Sequence, residues 1–337
     1  VVIRNARIHT MSAAGTVVGS IVIENGKITA IGTDPEIPEG AREFDMDGCT
    51  VVPGLIDCQS VLWLTASAAK EKSDKAALHA ADGVDPWQED WREVSRQGIT
   101  AVYVQPGNTG SLGGVGSVLC VAPGLTKSQL LLEQRAGVQA AIGLTGTTSR
   151  DRYSQFKKLQ TALENARKGK ESKASESAQP QRSTARRRRP APTPGRGAGR
   201  GRTPTGRQAT APDQPDRIKE VLKQVIDGEM PLRIEVHHSD AIGWAKSLAD
   251  EFNIRVILDG ASYSGSRGRS LDSSSVPLIA GPLFETSAVP GYRKQPRWEW
   301  LKEFNQSGGT WALGTFSTNP RGSSTLRAQA AAAVALG

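Results

Sequence analysis

"VVPGLIDCQSVLWL", residues Val51 to Leu64, decides how the rest of the chain is read. An apolar, β-branched run leads through Pro53-Gly54 into Asp57, and a second apolar run follows. Upstream, the chain alternates in the manner of half-buried strands: Val1-Val2-Ile3-Arg4, Ile21-Val22-Ile23 and Lys27-Ile28-Thr29-Ala30-Ile31. The stretch Glu24-Asn25-Gly26-Lys27 puts Asn-Gly between two such runs, a strong short-range hairpin signal. Residues 1–50 therefore predict a small antiparallel β-unit. Downstream of Val51 the rhythm changes, and short β-branched runs recur with stretches of helical period between most of them. The pattern predicts strands at 51–56, 99–104, 117–121, 138–142, 232–236, 254–258, 276–280 and 311–315. Helices are predicted over 90–97, 152–167, 240–252 and 298–306. In the third of these, Ile242, Ala245, Leu248, Ala249 and Phe252 form one apolar stripe suited to packing on a sheet. Eight such steps over residues 51–337 predict an α/β chain closed as a (β/α)8 TIM-type barrel rather than a doubly wound open sheet.

The chain has 337 residues, 37% of them apolar, enough for one large domain and a smaller one around a packed core. No run of eighteen apolar residues occurs, so no membrane span is expected. Cys49, Cys58 and Cys120 are odd in number and lack ligand spacing, which predicts free thiols, buried or half-buried. The net charge of +8 lies in one place: residues 168–216 hold twelve Lys/Arg against four Asp/Glu, and the remainder is formally neutral. That segment is rich in Arg, Pro, Gly, Ser and Thr and nearly without large apolar residues, so it reads as a disordered insertion within the barrel domain. It falls after the fourth helix, on the far side from the strand C-termini. The chain opens on Val1 and ends in a helix-like run from Ala328, and reads as a fragment at both ends; a leader before Val1 is compatible with this, and the compartment stays open.

A β-unit ending in "VVPGLID" and opening a (β/α)8 barrel resembles the amidohydrolase superfamily, near its imidazolonepropionase-like branch. "GITAVYVQPG" (98–107), "GGVGSVL" (113–119), "DAIGWAKSLADEFNI" (240–254), "AGPL" (280–283) and "WALGT" (311–315) follow in the matching order. The resemblance implies metal-assisted hydrolysis of C–N bonds other than peptide bonds, with one or two divalent ions such as Zn2+ activating a water. It also implies that the opening strands form part of a β-sandwich whose other strands lie beyond Gly337. The implied ligands stand at strand C-termini: a His-x-His pair, two further histidines, an aspartate and, in some members, a carboxylated lysine.

Carried over residue by residue, each ligand position departs from that pattern. The His-x-His pair falls on Gln59 and Val61, the fifth-strand histidine on Glu235, the sixth-strand histidine on Gly260 and the eighth-strand aspartate on Phe316. No lysine ends the fourth strand, which reads "AIGLTG". Zinc needs three or more N, S or carboxylate donors at about 2.0–2.3 Å, and Val, Gly and Phe offer none. The expectation is a metal-free barrel, a catalytically inactive homologue that serves as a binding or scaffold module for a small molecule in its mouth. The rival expectation is a non-standard hydrolase using Glu235 and His237, two apart and so on one side of a strand.

The remaining features read more blandly. Asp57 and Asp259 are expected to point away from the barrel axis and serve structure. The run 106–117, "PGNTGSLGGVGS", reads as a tight loop at the barrel mouth; as a phosphate cradle it lacks the ending of a P-loop. The tryptophans read mainly as packing residues, except that Trp63, with Phe316, is expected near the vacated mouth. Arg186, Arg187, Arg188 and Arg189 could attract a polyanion through counterion release. A homo-oligomer is a further open expectation.

Overall fold

A computed structural model describes residues 1–64, 78–106, 111–144, 148–177, 214–264, 276–284 and 298–336. The chain divides into two compact units, Val1–Ile56 with Gly98–Ala101, and Asp57–Gln97 with Val102–Gly337.

The first unit holds a five-stranded sheet. β1 (Val2–His9), β2 (Thr16–Glu24) and β3 (Lys27–Gly32) pair antiparallel in sequence, and β4 (Glu43–Asp45) and β5 (Thr50–Val51) pair parallel to β1. Between β2 and β3, Asn25 at φ 51° and Gly26 at φ 75° make the left-handed two-residue turn that their side chains permit. Ala6, Ile8 and Ile21 form the small buried cluster of this sheet.

The second sheet has eight strands in sequence order: β6 (Leu55–Ser60), β7 (Ile99–Val104), β8 (Leu112–Cys120), β9 (Leu131–Ile142), β10 (Leu232–Val236), β11 (Val256–Gly260), β12 (Leu278–Ala280) and β13 (Trp311–Leu313). β9 to β13 pair parallel throughout. The two ends of the sheet meet just past β13, where Phe316 N–H donates to Gln59 O at 2.7 Å and Val61 N–H to Ser317 O at 3.0 Å. This is an α/β TIM-type barrel, as the strand rhythm predicts. The described helices are α1 (Ala80–Gly83), α2 (Asp90–Arg96), α3 (Lys127–Leu130), α4 (Ser149–Ser177), α5 (Gln214–Ile226), α6 (Ser239–Phe252), α7 (Trp300–Gln306), α8 (Pro320–Ser323) and α9 (Leu326–Leu336). α6 stops at Asn253, whose left-handed conformation (φ 51°) turns its N–H back to Ala249 O. Leu232, Ile234 and Val236 of β10 and Val256 and Leu258 of β11 join Leu159, Leu222, Ile242 and Leu248 of the helices in one buried core. Alternation therefore turns Arg233, Glu235 and Asp259 to the inside of the barrel.

Several expectations change on contact with the structure. The third step is no β/α unit: β8 runs antiparallel to β9, joined by a short connection holding only α3. Residues 112–117 are thus not a mouth loop but a buried strand. Its glycines make room: a Cβ at Gly116 would lie 2.0 Å from the Tyr103 hydroxyl, and one at Gly113 would lie 2.6 Å from Gln139 Oε1. Residues 107–110 lie outside the described residues. Of the predicted insertion, 168–177 continue α4 and 214–216 open α5; Arg186 to Arg189 and the rest lie outside the described residues. α4 and α5 both stand between the fourth and fifth barrel strands. Asp259 points into the barrel rather than away, and Asp57 shares a strand face with Gln59, two residues on. Cys49 is exposed rather than buried, while Cys58 and Cys120 are half-buried; none of the three forms a disulfide among the described residues.

Candidate functional site

The inside of the barrel is crossed by a charged side chain. Arg233, in the middle of β10, is 4% exposed, and its Nε and Nη2 donate to Asp259 Oδ2 at 3.1 Å and Oδ1 at 2.8 Å. The same Nη2 donates to Cys58 O at 2.8 Å and Gln59 Oε1 at 3.1 Å. Its guanidinium lies 3.6 Å above the Tyr103 ring. One side chain on the fifth strand therefore ties together the first, second and sixth. Burial pushes the Asp259 carboxyl up, and Arg233 opposes that push. Arg233 itself is held above its ordinary value by Asp259 against the cost of burial. Burial also raises the Tyr103 hydroxyl to about 12, with the neighbouring Arg233 guanidinium opposing that rise.

Toward the strand C-termini, β10 carries Glu235, and His237 follows immediately after its last residue. His237 is 2% exposed; its Nδ1 lies 2.9 Å from Ser262 Oγ and its Nε2 3.5 Å from Glu235 Oε1. That second separation is too long for a hydrogen bond, and among the described residues Nε2 has no other partner. The ring is packed against Gly260, where a Cβ would lie 2.4 Å from Cε1. Glu235 keeps contact with solvent, its side chain 18% exposed.

A third polar cluster joins the barrel ends. Asp57 accepts from Thr315 N–H at 2.8 Å, from Thr315 Oγ1 at 2.5 Å and from Gln59 N–H at 3.3 Å. Burial dominates these bonds and raises its carboxyl to about 6. Gln105, just past β7, and Gln139, in register with Arg233, are buried, and among the described residues their side-chain oxygens have no partner.

No protein-family model matches the chain. It is 42% identical over 52 residues to an imidazolonepropionase of Klebsiella pneumoniae (strain 342) and 45% identical over 49 residues to an allantoinase of Solibacter usitatus (strain Ellin6076). These stretches cover 15% and 14% of this chain and 13% and 10% of those proteins, well short of their whole lengths. An amidohydrolase from Thermotoga maritima MSB8 superposes with a TM-score of 0.78 over 100% of this chain and 83% of its own, at 20% identity. The chain shares the fold of that amidohydrolase.

The positions carried over from the amidohydrolase pattern now have surroundings. Gln59 spends its amide oxygen on Arg233. Phe316, at φ 56°, reaches from the eighth strand's end toward Gly281, with Cε2 3.3 Å from where a Cβ would stand, and its N–H donates to Gln59 O. Val61 is half-buried beside Ser317, and Gly260 abuts His237, which in turn faces Glu235. The structure thus links Gln59 with Val61 and Phe316, and Glu235 with Gly260; Arg233 and Asp259 join the two groups. Among the described residues, no three His, Cys, Asp or Glu side chains come together as a metal would require. Trp63 does not stand free in the mouth: it is 3% exposed and stacks on Trp91 of α2 at 3.6 Å.

Sequence reasoning missed Arg233, Tyr103 and Ser262. A signal for the first was present: Arg233 and Asp259 each interrupt an apolar run, "LRIEV" and "VILDG", and two lone opposite charges in neighbouring buried strands call for each other. Ser262 carried no signal, because its partner is fixed only by the turn that follows β11.

Proposed function

We propose that this amidohydrolase-fold chain does not run metal-assisted hydrolysis of C–N bonds, and serves instead as a binding or scaffold module built on the barrel. The observation that carries this is the Arg233 guanidinium inside the barrel, bonded to Gln59 and paired with Asp259. A fixed cation there opposes a divalent ion by charge, and it consumes the two oxygen-bearing side chains nearest the former ligand positions. The side chains at those five positions supply one carboxylate, one engaged amide and three groups without a donor, which does not fit the ligand set of a catalytic zinc.

Metal analysis of the purified protein, expressed with Zn, Ni, Fe and Mn supplied, tests this reading. Less than one ion per ten chains supports it. One or more tightly bound ions per chain, lost with activity on chelation, overturns it. A second reading, a hydrolase with a non-standard site at Glu235 and His237, is favoured by one observation: the buried His237 Nε2 faces Glu235 and has no other partner among the described residues.

A further inference from the structure

The geometry points to a metal-free nucleophile relay past the ends of β10 and β11. Ser262 is the nucleophile, His237 the base and Glu235 the positioning carboxylate, and the substrates are compact activated carbonyl compounds such as small esters or strained cyclic amides. This rests on the second reading above and adds to it a nucleophile and a substrate class.

The imidazole of His237 stands between a hydroxyl and a carboxylate, with Nδ1 2.9 Å from Ser262 Oγ and Nε2 3.5 Å from Glu235 Oε1. A nucleophile within reach of a base, with a carboxylate facing the base's other nitrogen, is the arrangement that activates serine; at 3.5 Å Glu235 acts on the ring by charge rather than through a hydrogen bond. In the productive tautomer the Nε2 proton faces Glu235 and the Nδ1 lone pair accepts from the Ser262 hydroxyl. The backbone supports this placement. Gly260 at φ 96° and Ala261 at φ 55° are two successive left-handed residues immediately before Ser262. Ala261 N–H to Val236 O at 2.6 Å and Tyr263 N–H to His237 O at 3.0 Å pin that turn onto β10. A strained non-glycine residue held by its surroundings is a mark of functional sites. Gly260 is also the residue that lets the imidazole lie where it does, since any Cβ would strike the ring.

In the step itself, Ser262 Oγ bonds to the substrate carbonyl carbon while its proton passes to His237 Nδ1 and the carbonyl π pair moves onto oxygen. Collapse breaks the bond to the leaving group, which departs with the proton from Nδ1. Water then repeats the sequence on the acyl-serine, releasing the acid and restoring Ser262. Glu235 keeps the ring oriented and faces the imidazolium formed at each stage. Ser262 is fully buried and Glu235 is the member in contact with solvent, which restricts the substrate to a compact carbonyl group.

The test treats the chelated, metal-analysed protein with methanesulfonyl fluoride, a small serine-directed reagent, and locates the adduct by peptide mass mapping. The expected result is one adduct per chain, on Ser262, absent in Ser262→Ala. His237→Gln should slow its formation about 100-fold or more. Glu235→Gln should slow it less, and Glu235→Asp should recover part of the loss with the melting temperature unchanged, which a merely structural carboxylate would not produce. Mapping on the unaltered chain does not depend on any variant folding. An unmodified Ser262 in folded, metal-free protein overturns the relay and leaves the loss of metal chemistry standing. Labelling insensitive to His237→Gln also overturns it, while stoichiometric metal overturns the reading beneath.

Discussion

Replacing Arg233 with methionine keeps most of the side chain's volume and removes its charge and its donors. Asp259 is fully buried and accepts from Nε and Nη2, and the same Nη2 also donates to Gln59 Oε1 and the Cys58 carbonyl. The variant leaves a buried carboxyl without its cation, and breaking a buried pair this way costs about 3–5 kcal/mol. The loss exceeds what the pair itself contributes, because burial already pushes the Asp259 carboxyl up and Arg233 is what opposes it. The double variant Arg233→Met, Asp259→Leu removes both charges and should recover at least about half of the single-variant loss. Equilibrium urea unfolding of the wild type, both singles and the double, in chelator, measures all four corners of the cycle. A single-variant cost below about 1 kcal/mol, or a double cost equal to the sum of the singles, would show that the guanidinium does not brace the barrel.

Other outcomes follow from the same geometry. Asp57, raised to about 6 by burial from 3.8, binds its proton more tightly folded than unfolded. Its contribution therefore favours the fold fully below pH 3.8 and is lost as pH rises through 6. Relative to Asp57→Asn, the wild type should lose about 3 kcal/mol of stability between pH 3.5 and 7.5, measured by urea unfolding across that range; a difference that does not move with pH sinks the assignment. Gly116→Ala forces a methyl into the Tyr103 hydroxyl and should cost about 1–3 kcal/mol in thermal or urea unfolding, relieved in part by Tyr103→Phe. For the Arg-rich segment, filter binding with RNA, DNA and heparin should give an affinity that falls steeply with salt and disappears when residues 178–213 are deleted; affinity that survives the deletion discards a polyanion role.

The strand rhythm after Val51 and the Asn-Gly turn made the barrel and its β-unit legible from the sequence, since period and turn chemistry are local properties. Five of the eight predicted strands agree with observed ones to within two residues at each end, and the three that depart further, 51–56 against Leu55–Ser60, 117–121 against Leu112–Cys120 and 138–142 against Leu131–Ile142, sit where glycine and proline blur the period. The antiparallel third strand was not legible. A glycine run looks like a loop from the sequence, and only the neighbouring Tyr103 and Gln139 side chains show why a buried strand there must lack Cβ atoms.

By itself the sequence determined which donors are absent: no arrangement of backbone makes Val61, Gly260 or Phe316 a ligand through its side chain, so the chemistry of those positions is fixed by composition. Only the tertiary structure decided what stands in their place. Arg233, Asp259, Gln59 and Tyr103 lie on four different strands, and His237 meets Ser262 across a left-handed turn. Such pairings depend on which face each strand turns inward and how far its neighbour is shifted along it. A one-residue change in either would send the same side chains outward, which is why a charge read along the chain does not reveal its partner.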